Sequence, residues 1–306
     1  MKAVASVISA VGGYFMVSSA QAAQPKDWGL WHQEPASDMM ASIEWFDLYT
    51  FWFITPITIF VLLLLLYVMV KFNAKSNPNP SKTSHNTTIE VVWTVAPIVI
   101  LIAIAIPSFE LLDNQFDPGE EPSLTVKATG QSWFWDFEYQ DDSDISFSSN
   151  LIGSSYLAGS EEAAQEEREE LGKTDLAEYP NLLSVDNELV VPVNETIRVL
   201  VTADPAGVIH GFGLPAFGLK MDAIPGRLNE TWFKANKEGL YYGQCSELCG
   251  VNHAYMPIGI RVVSRDQFEE WQVNVQAAGL DQANQELIAS IEDARKTNFA
   301  LNATQE

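Results

Sequence analysis

Two long uncharged apolar segments constrain the fold of this chain more than any other feature of its sequence. The first covers residues 48–70 and the second covers residues 91–109, and neither contains Asp, Glu, Lys or Arg. A helix of about 20 apolar residues spans the hydrocarbon core of a bilayer. Pro56 and Pro97 are tolerated in such helices when neighbouring groups satisfy the freed backbone. We therefore predict transmembrane helices at residues 48–70 and 91–112 rather than two buried core helices.

The charges beside these segments predict their orientation. The loop between them, residues 71–90, carries Lys71, Lys75 and Lys82, and its only acid is Glu90. Loops rich in lysine and arginine stay in the cytoplasm. Both termini are then expected on the periplasmic side of a bacterial inner membrane.

The first residues have the pattern of a secretory signal. Lys2 precedes an apolar stretch, and Ala20-Gln21-Ala22 forms a small-residue cleavage site. We predict a signal peptide at residues 1–22, with a third membrane anchor as the alternative. Residues 23–47 would then form an extracytoplasmic N-terminal segment.

The remaining sequence predicts one extracytoplasmic domain, residues 113–264, followed by a helical tail, residues 265–306. Short β-rich runs broken by Gly, Pro and Asn are typical of a sandwich or a Greek-key barrel. The runs are residues 123–130, 133–139, 188–201, 207–214, 231–242 and 257–263.

An acidic insertion, about residues 154–180, interrupts the strand pattern. Its centre, residues 161–170, has no apolar face and is expected to be a solvated helix or loop at the surface. The whole chain has 40 acidic and 17 basic residues and a net charge of -23. This balance argues against nucleic acid as a partner and would suit a basic protein.

One loop collects metal-binding side chains at short spacing. Cys245, Cys249, His253 and Met256 follow the pattern C-x3-C-x3-H-x2-M, and His210 precedes them by 35 residues. Thiolate, thioether and imidazole together favour copper, whereas zinc sites seldom use methionine. Two thiolates shared between two ions would give each copper one imidazole. The alternatives are a disulfide, a Cys2His zinc site, and core positions for His210 and Met256.

Four segments resemble the cytochrome c oxidase subunit II family. GQCSELCGVNHAYMPI (243–258) resembles its binuclear copper (CuA) loop, and LPAFGLKMDAIPGR (214–227) resembles the stretch after its first histidine ligand. GQSWFWDFEY (130–139) resembles its aromatic segment, and IEVVWTVAPIVIL (89–101) resembles its second membrane helix. The resemblance covers about residues 40–272, apart from the insertion.

The resemblance implies a membrane-anchored all-β protein: a two-helix transmembrane hairpin, a cupredoxin-like Greek-key β-sandwich and a C-terminal helix. It implies two copper ions, with Glu247 binding through its backbone carbonyl and its side chain reaching a magnesium ion beside subunit I. The implied copper ligands are His210, Cys245, Glu247, Cys249, His253 and Met256.

The same resemblance implies a respiratory electron-transfer function. The copper pair would accept electrons from cytochrome c at Trp133 and pass them to haem in subunit I. Oxygen would be reduced to water there, with proton pumping, and Glu90 would lie at the mouth of a proton channel. The implied partners are subunit I, further oxidase subunits, cytochrome c and membrane lipid. Read without the resemblance, Trp133 would be a core aromatic residue and Glu90 a charge that ends a helix.

Four acidic residues after the Trp133 strand form a candidate docking face for a lysine-rich cytochrome c, because opposite charges steer encounter. Any solvated surface carries such charges, which is the alternative. The residues are Glu138, Asp141, Asp142 and Asp144.

Two positions depart from the family pattern. Phe212 stands where the family usually has Trp, and Gly207 stands where family members often have an acid, with Asp204 as a partial replacement. Three other kinds of protein remain as alternatives. A quinol oxidase subunit would lack the copper ligands, nitrous oxide reductase would lack the membrane hairpin, and a copper chaperone would need fewer ligands.

Overall fold

The computed structural model describes residues 24–26, 28–153 and 161–303, with the side chains of residues 161–163 and 298–303 left aside. The predicted signal peptide lies outside these residues. The chain divides into two compact units. One contains residues 41–119, and the other contains the N-terminal residues up to Met40 together with everything from Glu120 onward.

Residues 41–119 contain most of the two long apolar helices. Helix α1 spans Asp38–Lys71 and helix α2 spans Thr87–Phe116, and both are long and apolar enough to cross a membrane. The Tyr49 hydroxyl donates a hydrogen bond to the Ala103 carbonyl oxygen at 3.0 Å, which links the two helices. Apolar side chains are exposed along both helices, as expected of a membrane protein whose surroundings are lipid or other subunits.

Both helices extend beyond the apolar segments because polar residues begin them. The Ser37 hydroxyl accepts a hydrogen bond from the Met40 N–H at 3.0 Å, and the Asn86 side chain accepts one from the Ile89 N–H at 3.2 Å. These N-caps satisfy backbone donors that a helix start would leave free. The helices therefore begin before the apolar residues do.

The outer domain is a sandwich of two five-stranded sheets. Its strands are β1 (Leu124–Gly130), β2 (Trp135–Tyr139), β3 (Ser146–Ser149), β4 (Leu189–Pro192), β5 (Thr196–Ala203), β6 (His210–Leu214), β7 (Leu219–Ala223), β8 (Asn229–Lys234), β9 (Gly239–Cys245) and β10 (Pro257–Val263). One sheet has the order β3-β2-β1-β5-β8 and the other has the order β4-β10-β9-β6-β7.

Side-chain alternation puts a shared core between these sheets. In β1, Leu124, Val126 and Ala128 are buried while the residues between them are half-buried, so one face points inward. β1 and β5 pair in parallel, as do β4 and β10, and such pairs need connections that cross between sheets. The predicted β-sandwich fold is confirmed.

Some strand predictions were wrong in detail. The run 231–242 is two strands, β8 and β9, and the run 188–201 is divided between β4 and β5 by a turn with Asn194 at φ 59°. β3 and β7 were not predicted. Each is short and has few inward apolar residues, so its periodicity is weak.

The acidic insertion contains a helix, α3 (Glu161–Glu170), and most of its described side chains are exposed or half-buried, but one is buried. Arg168 is only 3% exposed and donates hydrogen bonds to the Tyr179 carbonyl oxygen at 2.8 Å and to the Asn181 side chain at 3.1 Å. Such bonds offset the cost of burying a charge. Lys173 is also buried, and its ammonium lies 2.8 Å from the Glu188 carboxylate.

The helical tail consists of two helices, α4 (Arg265–Ala278) and α5 (Leu280–Ala303), with Gly279 between them. A capping box between Ser264 and Gln267 begins α4. Trp271 is buried, and its indole N–H donates to the Asn284 side chain at 2.9 Å, which joins the two helices. Trp271 also packs against Tyr139 of β2, with 5.6 Å between ring centroids, so α4 lies against the sandwich.

Candidate metal centre

Two neighbouring strands bring the candidate ligands together. His210 begins β6, Cys245 ends β9, and Phe212 lies opposite Cys245 in the antiparallel ladder between them. β10 begins at Pro257, so residues 246–256 form the loop that joins β9 to β10. Side chains 35 residues apart in sequence thus meet at one end of one sheet.

The two cysteines face each other without forming a disulfide. Cys245 Sγ and Cys249 Sγ are 3.7 Å apart, both thiols are free, and both are buried. A disulfide requires about 2.0 Å between the sulfurs. Two unlinked sulfurs at this separation can act as metal ligands.

An imidazole nitrogen lies next to each sulfur. His210 Nδ1 is 3.9 Å from Cys245 Sγ, and His253 Nδ1 is 3.5 Å from Cys249 Sγ. The donor atoms of His210, Cys245 and Cys249 all lie within 4.8 Å of one another. The structure therefore has a CuA-like cluster of one histidine and two cysteines, with a second histidine beside it.

Two further soft or neutral donors border the sulfurs. Met256 Sδ lies 3.5 Å from Cys249 Sγ, and the Glu247 carbonyl oxygen lies 3.3 Å from Cys245 Sγ. Met256 is 1% exposed. Two thiols, two imidazoles, a thioether and a carbonyl fit the preferences of copper better than those of zinc, calcium or magnesium.

Burial determines the protonation of these groups. Burial, together with the neighbouring Cys245 thiol, raises the pKa of Cys249 to about 12. Burial also lowers the pKa of His210, and the nearby His253 lowers it further. Without a metal the thiol and the imidazole are therefore neutral at pH 7, and a metal ion that binds the sulfurs must displace thiol protons.

Glycine allows the ligand loop to approach β6 closely. The Gly211 N–H points to Cys245 Sγ at 3.5 Å, and the Gly211 carbonyl oxygen accepts from the Ser246 N–H at 3.1 Å. A Cβ atom at position 211 would lie 2.9 Å from the Glu247 nitrogen. Because backbone cannot move aside cheaply, any side chain at this position would displace the ligand loop.

Trp133 covers the loop from the other sheet. It lies just before β2 and is half-buried, and its indole N–H donates to the Cys249 carbonyl oxygen at 3.1 Å. Its ring leaves so little space that a Cβ atom on Gly250 would be 3.0 Å from Trp133 Cζ2. The indole is thus in direct contact with the chain that carries the sulfurs.

Glu247 and Glu90 have protein partners of their own. The Glu247 carboxylate pairs with the Lys220 ammonium at 2.9 Å, and both side chains are exposed. Sequence reasoning missed Lys220, because the two residues are 27 positions apart. The Glu90 carboxylate accepts from the Asn86 N–H at 3.1 Å, so it helps to begin α2.

The four candidate docking acids lie away from Trp133. Glu138 pairs with Lys127 at 2.8 Å, and Asp141 accepts from the Gln272 side chain at 2.9 Å. The other acids, Asp142 and Asp144, are exposed in the same turn after β2. Strands rise about 3.3 Å per residue, so this turn and Trp133 are at opposite ends of β2.

Comparisons with known proteins agree with this geometry. A family model described as "Cytochrome C oxidase subunit II, periplasmic domain" matches residues 124–263. A second, described as "Cytochrome C oxidase subunit II, transmembrane domain", matches residues 25–111. Together they cover most of the chain.

Individual relatives match over nearly the same range. A protein of Rickettsia bellii named "Probable cytochrome c oxidase subunit 2" is 41% identical over 285 residues, which are 93% of this chain and 98% of that protein. The cytochrome c oxidase subunit 2 of Cereibacter sphaeroides is 44% identical over 81% of this chain and 80% of that protein. The crystal structure of the periplasmic domain of subunit II of cytochrome oxidase from Bradyrhizobium japonicum has 49% sequence identity, a TM-score of 0.42, and coverage of 52% of this chain and 96% of that chain.

Proposed function

This chain belongs to the cytochrome c oxidase subunit II family, and from that premise we propose that it accepts electrons from cytochrome c at a pair of copper ions and passes them to haem in subunit I. One observation carries the proposal. Two free, buried sulfurs lie 3.7 Å apart, and each has an imidazole nitrogen beside it.

The proposed centre uses every donor around the sulfurs. Cys245, Cys249, His210 and His253 would hold the copper ions, with the Met256 thioether and the Glu247 carbonyl as further ligands. The presence of one imidazole beside each sulfur supports a count of two copper ions. A single zinc ion held by the two cysteines and the two histidines would leave the Met256 thioether and the Glu247 carbonyl unused as ligands.

Bound copper supplies reversible one-electron chemistry, and the protein supplies a fixed and dry environment. Cys245, Cys249, Met256 and His210 are buried, so water has little access to the donors. Backbone hydrogen bonds from Gly211 and Ser246 hold the loop to β6. Ligands held in this way rearrange little when the charge of the centre changes.

We further propose that cytochrome c docks over Trp133, because its indole touches both the surface and the Cys249 carbonyl. The acids beyond β2 would then act by long-range steering rather than at the contact. This role applies to Asp141, Asp142 and Asp144 more than to Glu138, whose charge Lys127 offsets.

Three expectations concern the assembled oxidase. We propose that both termini lie in the periplasm of a bacterial inner membrane, and that Glu90 admits protons to a channel of subunit I, which reduces oxygen and pumps protons. Glu247 supplies a single carboxylate, paired with Lys220, which by itself does not make a magnesium site. A magnesium ion there would need further ligands from subunit I.

Rapid mixing of the assembled oxidase with reduced cytochrome c tests the function. We expect the absorption of the copper centre to change before that of the haem. In the double variant Cys245→Ser/Cys249→Ser, haem reduction by cytochrome c should slow by orders of magnitude. Equal haem reduction in the wild type and this variant, or reduction by quinol and not by cytochrome c, would overturn the proposal.

A further inference from the structure

His210 is fully buried, and only one of its two ring nitrogens has a partner. Nδ1 faces Cys245 Sγ, whereas Nε2 is buried and has no hydrogen-bond partner among the residues that the structure describes. When one imidazole nitrogen binds a metal, the other carries the proton and normally donates it to a carboxylate, a carbonyl or water. Within the part of the chain that the structure describes, no residue orients His210 in this way.

In place of a hydrogen bond, residues of the opposite sheet pack against the His210 imidazole. A Cβ atom on Gly130 would lie 2.9 Å from His210 Cδ2 and 3.1 Å from His210 Cβ and Cγ. The α-carbon of Gly130, which carries no side chain, therefore packs directly against the His210 imidazole. Its φ is not in the left-handed region, so glycine is required for space and not for backbone conformation.

Trp135 packs against another side of the His210 imidazole. Gly130 and Trp135 are partners in the β1–β2 ladder, and the indole meets the imidazole edge-on, with 6.2 Å between ring centroids. The indole is itself held by Phe212, at 5.1 Å between centroids, and is 0% exposed. Its N–H also lacks a partner among the described residues, so it is not tied elsewhere.

The backbone behind Gly130 is fixed. Gly130 pairs with Ala203 of β5 as well as with Trp135, and its carbonyl oxygen accepts from the Asp204 N–H at 3.0 Å. The surface that touches the imidazole is therefore the middle of a three-stranded ladder. A group on this surface can move only if the sheet moves.

We propose that Gly130 and Trp135 are positioning residues for His210, which hold its imidazole by packing while its Nε2–H stays without a hydrogen bond. The inference rests on the copper site proposed above. A ligand whose second nitrogen has no acceptor is a weaker electron donor. It stabilises oxidised copper less, so this arrangement favours the reduced state.

The two histidines of the site provide an internal control. His253 is half-buried, whereas His210 is fully buried. Electron–nuclear double resonance on the copper-loaded full chain in detergent, in H2O and in D2O, distinguishes their ring protons. We expect the N–H proton of His253 to exchange within minutes and that of His210 to exchange at least 10-fold more slowly. Equal exchange, or a strongly hydrogen-bonded His210 proton, would overturn the inference.

Gly130→Ala tests the packing directly. The added methyl group must displace the imidazole, so we expect the nitrogen coupling of His210 to change while that of His253 does not. The copper affinity, measured against a chelator, should fall about 10- to 100-fold, as for loss of an outer partner of a metal ligand. The reduction potential should rise.

Two further variants keep the test decisive. Val126→Ala removes buried volume from the same inward face of β1, and we expect it to lower the melting temperature and leave both nitrogen couplings unchanged. If Gly130→Ala does not fold, Trp135→Phe keeps an aromatic ring in the core and should still change the His210 coupling. If the wild-type protein binds copper but the variants keep the wild-type His210 nitrogen coupling and copper affinity, this inference is overturned and the proposed function is not. Wild-type protein that binds no copper would overturn the proposed function.

Discussion

Glu188→Gln is the most informative change to stability, because Glu188 is the shared counter-charge of two buried cations. Its carboxylate lies 2.8 Å from the Lys173 ammonium and 2.5 Å from Arg261 Nε. The side chains of all three are at most 6% exposed. The amide keeps the shape of the carboxylate and removes its charge. Both buried cations would then lose their nearest carboxylate, and Arg261 would keep only the more distant Glu178 at 3.6 Å.

The expected loss of folding free energy follows from the pKa of Glu188. Burial alone would raise this pKa, but Arg261 and Lys173 outweigh burial and lower it from 4.5 to about 2. At about 1.36 kcal/mol per pKa unit, the charged form is stabilised by about 3 kcal/mol in the folded protein. Breaking a buried ion pair by removing one partner costs about 3–5 kcal/mol, which agrees.

Pulsed thiol labelling measures this loss. The chain has 2 cysteines, Cys245 and Cys249, and both are buried, so a short pulse of a thiol reagent labels unfolded outer domain. Copper-free full chain in detergent is equilibrated at each urea concentration before the pulse. We expect the free energy of unfolding to fall by about 3 kcal/mol, which raises the unfolded fraction about 100-fold.

Two comparisons make this prediction refutable. Glu230→Gln breaks an exposed pair with Arg198, and we expect a change of less than about 1 kcal/mol. The stability that Glu188 contributes is present above pH 4.5 and is lost as the pH falls from about 4.5 to about 2. The difference between wild type and Glu188→Gln should shrink over that range. A loss no larger than that of Glu230→Gln at pH 7 would refute the reasoning.

Two further predictions concern the copper site. Met256→Leu keeps the buried volume, so we expect a folded protein that still binds copper, with a higher reduction potential and slower electron transfer. A redox titration measures the potential. An unchanged potential would show that Met256 is not a ligand. Trp133→Ala should slow reduction by cytochrome c at least 10-fold and leave the copper absorption bands in place, whereas Trp28→Ala, which removes a 98% exposed indole, should change neither. Normal reduction of the Trp133→Ala centre would exclude docking over Trp133.

The sequence predicts the features that depend on local pattern. The two transmembrane helices are recognised by the length of their apolar segments, and most strands and the helical tail are recognised by their periodicity. The spacing of Cys245, Cys249, His253 and Met256 places four donors in one loop, so their proximity needs little knowledge of the fold. Of the candidate ligands, only His210 lies outside this loop in the sequence, and the pairing of β6 with β9 brings it next to the loop.

Features that depend on distant partners could not be predicted. The burial of Arg168 and Lys173 is one such feature, because charged side chains are rarely buried unless they are paired. Their burial depends on acceptors such as the Tyr179 carbonyl and on Glu188. Gly130 looked like a strand end, and only the opposing sheet reveals that its missing side chain makes room for His210.

The central claim is that Cys245 and Cys249 share two copper ions. Metal analysis combined with electron paramagnetic resonance of the full chain, purified from membranes and left unreduced, tests it most directly. We expect two coppers per chain and a spectrum in which one unpaired electron is shared equally between two copper nuclei. A single copper or zinc ion per chain, or a disulfide between the two sulfurs with no copper in active oxidase, would contradict the claim.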